Sequence, residues 1–122
     1  MAHIDKNDER EERIHMEIIV DAYEPEEQAM GWFNYLCDTL HFPFQARCRV
    51  QRPTSPLSPG KEVTVLAMAS DEVCEHDMFV TILWQHRQLA VPLMQLEGLQ
   101  IDEETQQAIE DWQYWMDRGY KL

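Results

Sequence analysis

Leu40-His41-Phe42-Pro43-Phe44-Gln45-Ala46-Arg47-Cys48-Arg49-Val50 is the stretch in which the hydrophobic period of this chain changes. Before it, apolar residues recur every third or fourth position; after it, they recur every second. Pro43 pushes the residue before it out of the helical region, so a helix is expected to end near Leu40 to Phe42. Phe44, Ala46, Cys48 and Val50 then alternate with Gln45, Arg47, Arg49 and Gln51. That pattern predicts a strand with one face buried and a cationic face outward.

Upstream, Ala29, Trp32, Phe33, Leu36, Cys37 and Leu40 form a stripe at helical spacing. Glu24-Pro25-Glu26-Glu27 reads as its start, because proline fits the first turn and acids favour the positive end of the dipole. Cys37 lies on the stripe, where a free cysteine is expected as a small buried hydrophobe. Residues 13–23 fit two periods: Ile14, Met16, Ile18 and Val20 alternate, whereas Met16, Ile19, Val20 and Tyr23 make a helical face. The segment is read as helix. Residues 1–12 have little apolar content and are expected to fray as a solvated arm.

Downstream, three prolines and a glycine make residues 53–60 a loop. Val63, Val65 and Ala67, then Met78 to Trp84, then Leu89 to Leu93 predict three further strands. Asp102 is placed to cap a last helix whose face is Ala108, Ile109, Trp112, Trp115 and Met116, with Gly119 as its stop. The tryptophans are expected to clamp that helix on the sheet. The predicted fold class is α+β, a single domain over residues 1–122. Residues 13–41 are helical, 42–96 form a small SH3-like antiparallel sheet or barrel, and 101–117 form a C-terminal helix packed on it.

The chain has 122 residues, 44% of them hydrophobic, and a net charge of −13. So much negative charge repels nucleic-acid phosphate and anionic lipid, which excludes DNA, RNA and membrane surfaces as partners. No apolar run is long enough to span a bilayer, and residues 1–13 are charged rather than signal-like. A cytoplasmic location is expected. Residues 1–41 and 70–122 each carry −8, and the middle segment between them carries +3. Folding the middle against the flanks relieves part of the repulsion, and acidity left unpaired should attract cations.

No GxSxG elbow, Cys/His signature, phosphate loop or GxGxxG is present, so no catalytic residue is predicted and the protein is read as a non-enzyme. Cys37, Cys48 and Cys74 are an odd number without CxxC spacing. His41, His76 and His86 with Cys37 and Cys74 offer zinc-type donors, but the fold would have to gather them from unrelated segments. Carboxylates are the stronger signal. Asp71-Glu72-Val73-Cys74-Glu75-His76-Asp77 puts four acids in seven residues between two predicted strands. Ca²⁺ takes six to eight oxygen ligands in irregular geometry, so it suits such a loop. Asp38 falls in the last turn of the Pro25 helix, where free carbonyls and a carboxylate make half of a cation site. The expected metal ligands are therefore Asp38, Asp71, Glu72, Glu75 and Asp77. An EF-hand is absent: Asp5, Asn7 and Glu9 mimic its first ligands, but Arg10 stands where glycine is needed and Met16 where glutamate is. Glu26/Glu27 and Asp102/Glu103/Glu104 are explained by helix capping.

Several segments in order resemble one family. They are Asp21-Ala22-Tyr23, Gly31-Trp32 with Tyr35-Leu36, Phe42 to Arg47, and Ser55-Pro56-Leu57. To these are added the Cys74 loop running into Met78-Phe79-Val80, Ala90-Val91-Pro92-Leu93 with Gln95-Leu96, and Ile109 to Trp115 with Gly119-Tyr120. Together they resemble the cyanobacterial calcium-binding protein family, a non-EF-hand group, from about residue 13 onward. The resemblance implies a small acidic cytoplasmic protein that binds Ca²⁺ through carboxylates, as a calcium buffer or in calcium signalling. The ligands named above come from charge and position, not from the family pattern. An alternative reading is an acidic protein-interaction module docking a basic partner, with Ca²⁺ binding incidental.

Overall fold

The computed structural model describes residues 6–53, 55–120 and 122. Helix α1 (Asp8–Arg13) runs into a π-helical turn, Ile14–Ile18, and α2 spans Pro25–Thr39. Strands β1 (Phe44–Cys48), β2 (Glu62–Met68), β3 (Phe79–Trp84) and β4 (Arg87–Pro92) follow, then a 3₁₀ turn, Leu93–Gln95, strand β5 (Leu96–Leu99) and helix α3 (Glu103–Asp117). The five strands form one antiparallel sheet in the order β4-β3-β2-β1-β5. A meander of four strands whose fifth returns, through a 3₁₀ turn, to the free edge of the first is the SH3-like arrangement expected from the strand spacing. No helix among the described residues is long and apolar enough to cross a membrane.

The period change at Pro43 is seen as far as Cys48: Phe44, Ala46 and Cys48 are buried and Gln45 and Arg47 exposed, whereas Val50, expected on the buried face, lies past the end of the strand and is exposed. Three further details differ. Strand β5 lies mostly beyond the predicted limit of residue 96, because Leu96-Glu97-Gly98-Leu99 has no alternation of its own and is strand only through pairing with β1, Cys48 opposite Leu96 and Gln45 opposite Leu99. In β2 a bulge between Val65 and Ala67 flips the pleat, so Ala67 is exposed instead of continuing the buried face of Val63 and Val65. Cys37 is exposed rather than buried, since α2 turns its Trp32-Leu36-Leu40 line inward and Cys37 falls beside that line.

The arm also departs from expectation. Residues 8–12 are helical, not frayed, while residues 1–5 lie outside the described residues. Asp111 of α3 is fully buried, and it accepts from Arg10 Nη1 at 2.8 Å, Arg13 Nε at 3.0 Å and Arg13 Nη2 at 2.7 Å. Next to it, Glu11 accepts from the Tyr114 hydroxyl at 2.6 Å and the Tyr120 hydroxyl at 3.0 Å. Burial alone would raise the Glu11 pKa, but these two donors hold it below its ordinary value. Composition marked the arm as solvated because it cannot show that its charges have buried partners a hundred residues away.

Trp32 of α2 and Trp112 of α3 meet edge to face at 5.0 Å between ring centroids, with Trp115 stacked on Trp112 at 5.6 Å. Trp32 and Trp112 are both fully buried, so this cluster locks the helices together above the sheet. At Gly31 a Cβ would sit 2.6 Å from the Ile18 backbone oxygen, so only glycine lets the π-turn lie this close against α2. Helix α3 ends in a Schellman motif: the Gly119 N–H donates to the Met116 carbonyl and the Tyr120 N–H to that of Trp115, with Gly119 at φ +90°. At its other end, Asp102 accepts from the Thr105 N–H at 2.7 Å, Thr105 Oγ1 accepts from the His41 N–H at 3.1 Å, and the His41 ring pairs with Asp102.

Three outcomes follow from this packing. Asp111→Ala leaves two guanidinium groups without their buried partner and should lower stability by about 2–4 kcal/mol in a urea titration, with loss of α1 protection in hydrogen exchange. Gly31→Ala, which in an exposed helix would stabilise, should instead cost about 1–3 kcal/mol through backbone overpacking. The His41–Asp102 clasp should depend on pH at both ends. Hydrogen bonding to Asp102 raises the His41 pKa above 6.5, so its contribution is complete below 6.5 and is lost as pH rises through the raised value. The same bond, with the Thr105 cap, lowers Asp102 from 3.8 to about 2, so that contribution is present above 3.8 and lost as pH falls through about 2. The Tm difference between wild type and His41→Gln should therefore be greatest between pH 3.8 and 6.5 and shrink above it.

Candidate metal centre

Between β2 and β3 the chain makes a tight acidic loop pinned from within by Cys74. The Cys74 N–H donates to the Ser70 carbonyl at 3.1 Å, and its buried sulfur accepts from the Phe79 N–H at 3.4 Å. Asp71 Oδ1 accepts from the Glu72 N–H at 2.9 Å. With the thiol filling the inside of the turn, Asp71, Glu72, Glu75 and His76 point outward and are exposed. Burial pushes the Cys74 thiol pKa up, and the nearby Cys37, Asp77 and Asp71 add to the rise. Cys74 is therefore a packing residue, which its place among the loop acids did not reveal.

Asp71, Glu72, Cys74, Glu75 and His76 form one wall of a cavity of about 450 Å³. Its other wall is the first half of α2: Pro25, Glu26, Ala29, Met30 and Phe33. Three of the five expected ligands thus share a wall. Glu26 joins them from across the cavity, although the sequence explains it by the dipole of α2. The signal that could have found it is its i, i+3 and i+4 spacing to Ala29 and Met30, which puts a carboxylate on the same face as two apolar residues.

Asp77 and Asp38 are placed differently. Asp77 turns toward the middle segment, with Oδ2 3.5 Å from Arg52 Nη2. Its Oδ1 is buried with no hydrogen-bond partner among the described residues. Burial pushes its carboxyl above the ordinary range, against the lowering pull of Arg52. Asp38 is exposed in the last turn of α2 and is not part of the cavity wall. It raises the pKa of neighbouring Cys37, after burial, and Cys37 in turn acts on Cys74. Among the described residues no three His, Cys, Asp or Glu side chains are grouped closely enough to hold a metal ion together. His41, a zinc-type donor in the sequence, is taken up by Asp102.

Residues 12–116 match the model of a protein family described as calcium binding. The chain belongs to this family. Calcium is accordingly the ion to which the carboxylate chemistry of the loop is to be related. Anabaena CcbP, known from a crystal structure, is 42% identical over the whole of both chains, with a TM-score of 0.88. A structure of a calcium binding protein in its calcium-binding form is 41% identical, again over the whole of both chains, with a TM-score of 0.86. No curated protein sequence matches at a significant level. At these identities the α+β fold with its five-stranded antiparallel sheet is that of the calcium-binding relatives.

Proposed function

We propose that this protein binds Ca²⁺ reversibly in the cytoplasm, as a calcium buffer or a calcium-signalling protein rather than an enzyme. Asp71, Glu72 and Glu75 would supply exposed oxygens, while Asp77 and Asp38, which stand apart from them, would have to swing in, Asp77 from the other end of the loop and Asp38 from α2. Water would complete a shell of six to eight oxygens. Family membership supports the ion, and one observation supports the location. Asp77 Oδ1 is a buried carboxylate oxygen with no hydrogen-bond partner among the described residues, on a loop that carries three more carboxylates. An acceptor in that position carries a desolvation cost that a cation can offset.

The donor set fits the ion. Every proposed ligand is a hard carboxylate oxygen, and irregularly placed carboxylates suit the larger Ca²⁺, which tolerates irregular coordination, better than Mg²⁺, which demands a near-ideal octahedron. Arg52 is a built-in competitor: its guanidinium already shares Asp77, so Ca²⁺ must bind against one positive charge. That competition favours moderate, reversible affinity over tight storage. The net charge of −13 concentrates cations around the domain and speeds their capture.

Calorimetry with Ca²⁺ in excess Mg²⁺ should give at least one site. Asp71→Asn, Asp77→Asn and Asp38→Asn should each weaken it about tenfold or more, equal to at least ~1.4 kcal/mol. Wild-type affinity in all three would remove these ligands, and no Ca²⁺ heat in the unmodified protein would remove the function.

A further inference from the structure

Ca²⁺ accounts for only one of the two walls of the cavity. A cavity of about 450 Å³ is far larger than a single ion, and the oxygens proposed to hold that ion stand mostly on the loop wall. The α2 wall offers such an ion one carboxylate, Glu26, and otherwise apolar surface. Ala29 and Cys74 are buried at the floor, Phe33 is half-buried, and Met30 is 47% exposed. Met30 and Phe33 carry no oxygen on their side chains and gain nothing from a hydrated ion.

We propose that this cavity is also the docking groove for a basic amphipathic segment of a partner protein, and that Ca²⁺ and this segment compete for it. The proposal rests on the Ca²⁺ reading above, because the two ligands share Asp71, Glu72 and Glu75. Charge complementarity selects the occupant: Glu26, Asp71, Glu72 and Glu75 face an apolar strip, and no lysine or arginine lines the cavity. Lysine and arginine side chains match such a groove in both halves. Their methylene stems lie on apolar surface while the cationic heads reach carboxylates at the edge. Leucine-like side chains between them would enter against Phe33 and Ala29. Met30 is unbranched and polarizable, so it can repack around different apolar side chains, as methionines do on promiscuous helix-binding surfaces.

The α2 terminus does not oppose this. A capping box ties Glu24 to Glu27, so the positive end of the helix is already screened by its own carboxylates. A second copy of this chain is disfavoured by its own charge of −13. Because the carboxylates are common to both ligands, each must weaken the other by the same factor. A rise in Ca²⁺ would release the partner, which turns an ion binder into a signalling component with no large conformational change.

The test uses the full chain and two synthetic fluorescent peptides of equal length and charge, about 18 residues or ~27 Å as a helix. One is an amphipathic Lys/Leu helix and the other a Lys/Ser control. In EGTA at physiological ionic strength the Lys/Leu peptide should bind about tenfold tighter than the control. Met30→Ser should weaken the Lys/Leu peptide about fivefold and leave the Ca²⁺ isotherm within about twofold of wild type. Saturating Ca²⁺ should weaken peptide binding about tenfold, and saturating peptide should weaken Ca²⁺ by the same factor. Equal affinity for the two peptides, or no effect of Met30→Ser, overturns the docking groove while leaving Ca²⁺ binding intact. Peptide binding indifferent to Ca²⁺ overturns the competition. Since Met30 cannot ligate Ca²⁺, its variant reads docking alone, whereas Asp71→Asn reads the ion.

Discussion

A domain carrying thirteen more negative than positive charges can be compact only if every acid that leaves water finds a donor, and the placement of those donors orders this structure. Asp111, fully buried, takes both Arg10 and Arg13. Glu11, nearly buried, takes two tyrosine hydroxyls. Asp77, half-way in, takes Arg52 on one oxygen only. Through the first two, the N-terminal helix becomes part of the core instead of an appendage. Through the third, the basic middle of the chain is drawn against an acidic flank, as is Arg47 against Glu97 at 2.8 Å.

The acids that remain unpaired are therefore not spread at random. Trp32 and Trp112 fix α2 against α3, and Gly31 lets the π-turn close over the other side of α2. That leaves the first turns of α2 facing the β2–β3 loop, which Cys74 holds in a turn with its carboxylates outward. The result is a cleft with one hard, anionic wall and one soft, apolar wall. On the proposed reading, ion binding and side-chain docking would draw on the same carboxylates, so the geometry would couple them whatever the strength of either.

Much of this was legible from residue order. The helix-to-strand change at Pro43, the Asp102 cap and the Gly119 stop are local signals, and each is found where the local chemistry puts it. Strand β5 was not legible, because a four-residue segment containing glycine has no period and exists only by pairing with β1. Cys37 and Ala67 were misplaced for a related reason. One lies at the margin of a helical stripe and the other just past a bulge, where a one-residue offset reverses the side facing the core. The helical arm failed on composition: Glu11, Arg10 and Arg13 look solvated in sequence and are held by α3 in the fold.

Of the acidic residues, the sequence by itself determined how many crowd into the 71–77 loop, and it carried the likeness to a calcium-binding family. Periodicity and capping describe a single element and the water or core on either side of it, so they reach that far without coordinates. Only the tertiary structure decided that Glu26 faces Asp71, Glu72 and Glu75 across a cavity, that Asp77 turns to Arg52, and that Asp38 stands outside the wall. Those relations join segments distant in the chain, and they are set by how the tryptophans pack and how the buried charges are paired, which no spacing along one segment encodes.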